Sequence, residues 1–166
     1  INVTATAGVD GASTGNAYGM QTDGSHRQGS STQTTLKGHE INLEASVNGT
    51  GEAHAMHAEG PRYSTNTEYV NLIQAGEGKS LVLTLVAKAG AADKAIAMWA
   101  ENGGAVNRIQ GSDLGDQINI TGNIYSGKGG KNEIIIGKGS DWVSIDGHIS
   151  GNNNFIDTGA GDDFIR

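Results

Sequence analysis

INLEASV, residues 41–47, alternates Ile41, Leu43, Ala45 and Val47 with Asn42, Glu44 and Ser46. Side chains of an extended chain point to opposite faces in turn, so this alternation describes a strand with one apolar and one polar face. The phrase recurs as INVTATA from Ile1, LVLTLVA from Leu81, INITGNI from Ile118 and VSIDGHI from Val143. Counted from those first residues, the copies are spaced 40, 40, 37 and 25 residues apart, with a further start at Ile165 after 22. Period two kept in phase through five copies makes the chain a repeat.

Two further columns run beside the first. Asn71-x-Ile73, Asn107-x-Ile109, Asn132-x-Ile134 and Asn154-x-Ile156 precede successive strands. NAYGMQTDG (16–24), EAHAMHAEG (52–60) and KAIAMWAENG (94–103) align Tyr18 with His54 and Ile96, and Met20 with Met56 and Met98. They also align Asp23 with Glu59 and Glu101. The last two copies lack this third column.

A short strand with one apolar face is not stable alone, but copies stacked in register build a continuous core, each unit touching only its neighbours. Parallel stacking sets like residues ~4.8 Å apart. The expected fold is all-β: a right-handed parallel β-solenoid of about five coils, three strands wide in the first three and narrower toward the C-terminus. An antiparallel β-sandwich of the same strands is the alternative. Residues 1–166 form one domain, with three longer coils over 1–117 and shorter coils over 118–166.

Composition limits the partners. With a net charge of −7, the chain is expected to bind neither nucleic acid nor an anionic membrane, and a cation is the more natural ligand. No apolar run approaches the ~18 residues of a membrane helix, so membrane insertion is not expected. The 27 glycines follow no three-residue period, which excludes collagen, and the absence of Cys excludes a disulfide framework. The first residue is Ile, no signal peptide is present, and DDFIR stops as a sixth strand begins. These features predict a segment of a larger exported protein, or ends that pair with another copy of the chain.

The corners carry the candidate chemistry. GKGSDWV (Gly137, Gly139, Asp141) and GAGDDFI (Gly159, Gly161, Asp163) both fit G-x-G-x-D-x-φ, where φ is a large apolar residue; GSDLGDQI (Asp113, Asp116) is a looser relative. The motif resembles the hemolysin-type (RTX-like) calcium-binding repeats of secreted bacterial toxins, proteases and adhesins. That resemblance implies Ca²⁺ held by aspartate and by backbone oxygens that the glycines expose. In this family the repeats are contiguous and nine residues long. Here the two motifs lie 22 apart, and Ile136 and Thr158 stand at the usual leading glycine. The first three copies resemble the passenger regions of bacterial surface adhesins and autotransporters in composition. The implied setting is secreted or cell-surface.

Aligned Asp116, Asp141 and Asp163 would stack uncompensated carboxylates within ~5 Å, which calls for a cation or a proton. Asp23, Glu59 and Glu101 are expected to be exposed and screened by solvent. Strict alternation sends His54 and His57 to opposite faces, leaving His54 a packing residue. The asparagine column is expected to satisfy itself as an amide ladder. No nucleophile–base arrangement is evident, and Arg62 and Arg108 lack a carboxylate cluster in their columns. The expected function is therefore a non-catalytic structural or adhesive module facing a cell-surface or polysaccharide ligand. The alternative is a carbohydrate-active β-helix (lyase or epimerase) or its accessory binding module.

Overall fold

The computed structural model describes residues 1–7, 14–24, 32–61 and 68–166. Coil 1 comprises β1 (Asn2–Ala7), β2 (Ala17–Asp23) and β3 (Thr32–Gly38), and coil 2 comprises β4 (Glu40–Val47), β5 (Ala53–Glu59) and β6 (Tyr69–Ala75). Coil 3 has β7 (Val82–Lys88), β8 (Ala95–Glu101) and β9 (Ala105–Gln110), with one 3-10 turn at Ala92–Lys94. Coil 4 has β10 (Gln117–Thr121), β11 (Asn123–Ser126) and β12 (Lys131–Ile135). Coil 5 has β13 (Trp142–Asp146), β14 (Ile149–Gly151) and β15 (Asn154–Asp157), and β16 (Phe164–Ile165) begins a sixth turn.

Successive coils stack into three parallel sheets. The first runs β1-β4-β7-β10-β13-β16, the second β2-β5-β8-β11-β14, and the third β3-β6-β9-β12-β15. The molecule is a parallel β-solenoid of five coils, not an antiparallel sandwich. Its narrowing lies in strand and corner length, because coils 4 and 5 keep all three strands. The second sheet therefore continues where no third column was expected: Ile124 pairs with Met98 and Tyr125 with Trp99.

The inward faces of the three sheets meet in one core. Ile41, Leu43, Leu83, Leu85, Ile118 and Val143 enter from the first sheet, Met20, Met56, Met98 and Ile124 from the second, and Ile73, Ile109 and Ile134 from the third. Each such side chain contributes about 1.5–3 kcal/mol when withdrawn from water.

The register corrects the alignment by first apolar residue. Ile41 pairs with Leu83, and Leu83 with Ile118, so Leu81 does not belong to the strand column. An even slip keeps the same face inward, so alternation alone does not detect it. Corner length does. Residues 111–116, 136–141 and 158–163 separate equivalent ladder positions by six residues, whereas 75–81 is a corner of seven ending in buried Leu81. Leu81 occupies, one coil earlier, the place of Asp116.

Candidate functional site

The corner aspartates form a ladder of their own. Asp163 Oδ1 accepts the backbone N–H of Asp141 (3.1 Å), Asp141 Oδ1 that of Asp116 (2.7 Å), and Asp116 Oδ1 that of Leu81 (2.5 Å). Asp116 also accepts the N–H and hydroxyl of Ser112 at 2.7 and 2.9 Å. The expected like-charge stack is thus compensated by amide donors one coil away, because a charged acceptor strengthens such bonds. Asp141 is the exception. It is buried, and among the described residues its Oδ2 has no hydrogen-bond partner. Burial raises its pKa above the ordinary carboxylate value; the amide of Asp116 opposes the rise, and the charges of Asp116 and Asp163 add to it. Asp113 stands outside the ladder, with its carboxylate 3.3 Å from Lys138 Nζ at the surface.

The motif glycines are required by backbone approach. Gly137 and Gly159 have φ of 123° and 80°, and a Cβ on Gly159 would collide with the carbonyl oxygen of Gly137 below it. Gly161 stands in the same relation to Gly139. That approach lets the corners pair: Ala160 N–H donates to Gly137 O (3.0 Å) and Gly139 N–H to Ala160 O (2.9 Å).

A second polar ladder crosses the third sheet. Asn71 Nδ2 donates to Asn107 Oδ1 (3.1 Å), Asn107 to Asn132 (3.1 Å), and Asn132 to Asn154 (3.0 Å). The buried Thr22 hydroxyl closes its start by donating to Asn71 Oδ1 at 2.7 Å. The amide column thus behaves as its sequence spacing predicts.

The second sheet departs from strict alternation. Its ladder passes from Tyr18, His54 and Ile96 directly to Met20, Met56 and Met98, omitting Gly19, Ala55 and Ala97. At this kink Ala55 and Met56 both enter the core, so side-chain parity inverts. His54 and His57 consequently lie on the same face, with ring centroids 5.0 Å apart, contrary to the alternation-based expectation. Tyr18 stacks on His57 (5.2 Å, 15°) and Trp99 on His54 (5.0 Å, 8°), so the two imidazoles lie between two aromatic rings. The kink leaves one sequence trace, a small residue before Met in all three copies. The ring cluster joins two columns, Tyr18 with His54 and His57 with Trp99, which strict alternation would place on opposite faces.

Both histidines are buried. His54 Nε2 lies 3.1 Å from Glu52 Oε2, and burial, reinforced by the nearby His57, lowers its pKa to about 3. Burial also lowers the pKa of His57, with the carboxylates of Glu59 and Asp23 opposing. Those acids are in register as predicted, Asp23 with Glu59 and Glu59 with Glu101. Glu59 and Glu101 are half-buried, however, and only Asp23 is exposed.

Arg108 does find a carboxylate: its Nη2 lies 2.6 Å from Glu133 Oε2 on the neighbouring strand, with Phe155 next in the same row. Arg62 lies outside the described residues. On the first sheet, exposed Trp142 and Phe164 stack with centroids 4.2 Å apart. Among the described residues no helix is long and apolar enough to cross a membrane. No known protein family matches the chain, and neither do curated proteins nor solved structures.

Proposed function

We propose that the chain is a non-catalytic β-solenoid module of an exported, cell-surface or secreted bacterial protein, with a structural or adhesive role. One observation carries this reading: two columns of polar side chains, asparagines in the third sheet and aspartates at the corners, are paired along the stack axis. The asparagine and aspartate ladders use amides and carboxylates to join one coil to the next. The outward Trp142–Phe164 stack supplies an exposed aromatic surface for a ligand such as a sugar ring. In a panel of immobilised cell-surface polysaccharides, at least one should retain the protein and lose it on Trp142→Ser. Retention unchanged by that substitution removes the adhesive assignment.

Ca²⁺ at the C-terminal corners belongs to the same proposal, supported by the unpartnered buried Oδ2 of Asp141. A carboxylate oxygen in that state is stabilised by a proton or a cation. The corner glycines Gly137, Gly139, Gly159 and Gly161 let backbone oxygens of successive corners approach one another, and backbone oxygens are ligands that calcium takes. Thermal melts in EGTA and in millimolar Ca²⁺ are expected to differ by several degrees, and superimposable curves sink the calcium assignment.

A polysaccharide-active reading rests on the Arg108–Glu133 pair beside exposed Phe155. The short contact neutralises both charges, which suits a binding accessory better than a lyase. Incubation with acidic polysaccharides should release no unsaturated product; release of one would establish the enzymatic reading.

A further inference from the structure

The parity inversion in the second sheet brings together groups that their spacing separates. Past the kink, His57 and Glu59 alternate on the same outward face. One coil on, Trp99 pairs with His57 and Glu101 with Glu59. One donor atom from each of His57, Glu59 and Glu101 lies within 4.8 Å of the other two. His57 Nε2 and Glu101 Oε2 are 3.5 Å apart, close to the ~3.4 Å that separates two ligands of a tetrahedral ion at bond lengths of ~2.1 Å.

The imidazole itself is the second, independent observation. His57 is 3% exposed, yet among the described residues neither ring nitrogen has a hydrogen-bond partner. Its contact with Glu101 does not have hydrogen-bond geometry. A buried polar group left unpaired is costly, so these ring nitrogens are suited to coordinating a ligand. The stacking of Tyr18 and the tilted ring of Trp99, 5.5 Å away, hold the imidazole in place. Glu59 and Glu101 sit on adjacent parallel strands, where directly opposed like charges are destabilising. Among the described residues no lysine or arginine pairs with either. The ring offers a nitrogen ligand, and the carboxylates offer oxygen ligands from two adjacent strands.

We propose that His57, Glu59 and Glu101 form a site for a zinc-like first-row divalent cation that ties coil 2 to coil 3, with Asp23 in register with Glu59 on the adjoining strand. An imidazole nitrogen with two carboxylates suits Zn²⁺ and its neighbours; Ca²⁺ and Mg²⁺ prefer all-oxygen shells. The site is separate from the aspartate corners, in sheet, coils and ion class, and goes beyond the proposed module function.

The test is a titration of EDTA-stripped, dialysed protein with ZnCl₂ by calorimetry, paired with thermal melts. One equivalent should bind, and at about a hundredfold excess over Kd the midpoint should rise by roughly 5–10 °C. His57→Gln should weaken binding at least tenfold. Because that substitution is buried, Glu59→Gln/Glu101→Gln, altered only at half-buried positions, provides the second arm and should weaken binding to the same degree. Asp141→Asn should leave the zinc isotherm unchanged, and CaCl₂ should not compete, so failure of the calcium corners would not be confused with failure here. No zinc binding by the unaltered chain, or binding that persists in the double variant, overturns the proposal; the latter places the ion on another histidine.

Discussion

A single carboxylate shows how the corners resolve a conflict between packing and charge. Asp141 gives one oxygen to the amide of Asp116 and leaves the other bare. Asp141→Asn keeps an acceptor for that amide and removes the charge. Asp141→Ala removes both and orphans a buried N–H, which should cost about 1–3 kcal/mol in urea unfolding. The pKa of Asp141 is raised on folding, so its ionisation opposes the fold, and that penalty is relieved as pH falls through the folded value. In EGTA at neutral pH, Asp141→Asn should therefore be at least as stable as the parent, with any advantage shrinking on acidification. In Ca²⁺ the order should reverse. If Asn and Ala variants prove equally destabilised in EGTA, the amide bond is not what the carboxylate contributes. The asparagine ladder makes a parallel case. Asn107→Leu strands both the Asn71 amide and the Asn132 oxygen, at about 1–3 kcal/mol for each buried group. A loss well under 1 kcal/mol would show that water replaces the ladder.

At the scale of elements, the second sheet determines how the molecule responds to acid. In the folded chain His54 is surrounded by His57, Tyr18 and Trp99, with Glu52 at its Nε2. Its pKa falls from 6.5 to about 3 on folding, so stability is complete above about 6.5 and is lost as pH drops toward 3. Each unit costs about 1.4 kcal/mol, so metal-free protein should lose about 2 kcal/mol between pH 6.5 and about pH 5. His54→Phe keeps the stacking and should flatten that slope; an unchanged slope assigns the acid sensitivity elsewhere. This cluster also marks where the sequence stops being legible. Strand positions, parallel stacking, the methionine and asparagine columns and the acid column follow from spacing, because stacking repeats a residue at fixed intervals. The kink at Ala55 breaks the rule of two on which the placement of His54 and His57 depended. The two-residue offset at Leu81 was hidden for the opposite reason: an even slip preserves the alternation that would have revealed it.

For the whole molecule, the solenoid distributes stability along one axis, because each coil is held by its neighbours. Leu83 and Met56 are fully enclosed in coils 3 and 2, whereas every residue of β14 is exposed and Phe155 in β15 is 52% exposed. Leu83→Ala should thus cost about 2–5 kcal/mol globally, whereas Ile149→Ala in β14 should cost well under 1 kcal/mol, as surface positions do. Native-state hydrogen exchange should show the same gradient, with slowest exchange in β5, β6, β8 and β9 and fastest in β14 to β16. The two proposed ions act at different points on this gradient. Zn²⁺ between β5 and β8 would strengthen coils that are already the best protected, raising the global limit. Ca²⁺ at Asp141 and Asp163 would act on the weakest coil and slow exchange selectively in β13 to β16. Exchange measured in EDTA, in Zn²⁺ and in Ca²⁺ separates these effects. A flat profile in EDTA would mean that the coils unfold as one cooperative unit, and neither ion could then be assigned to a coil by its local protection.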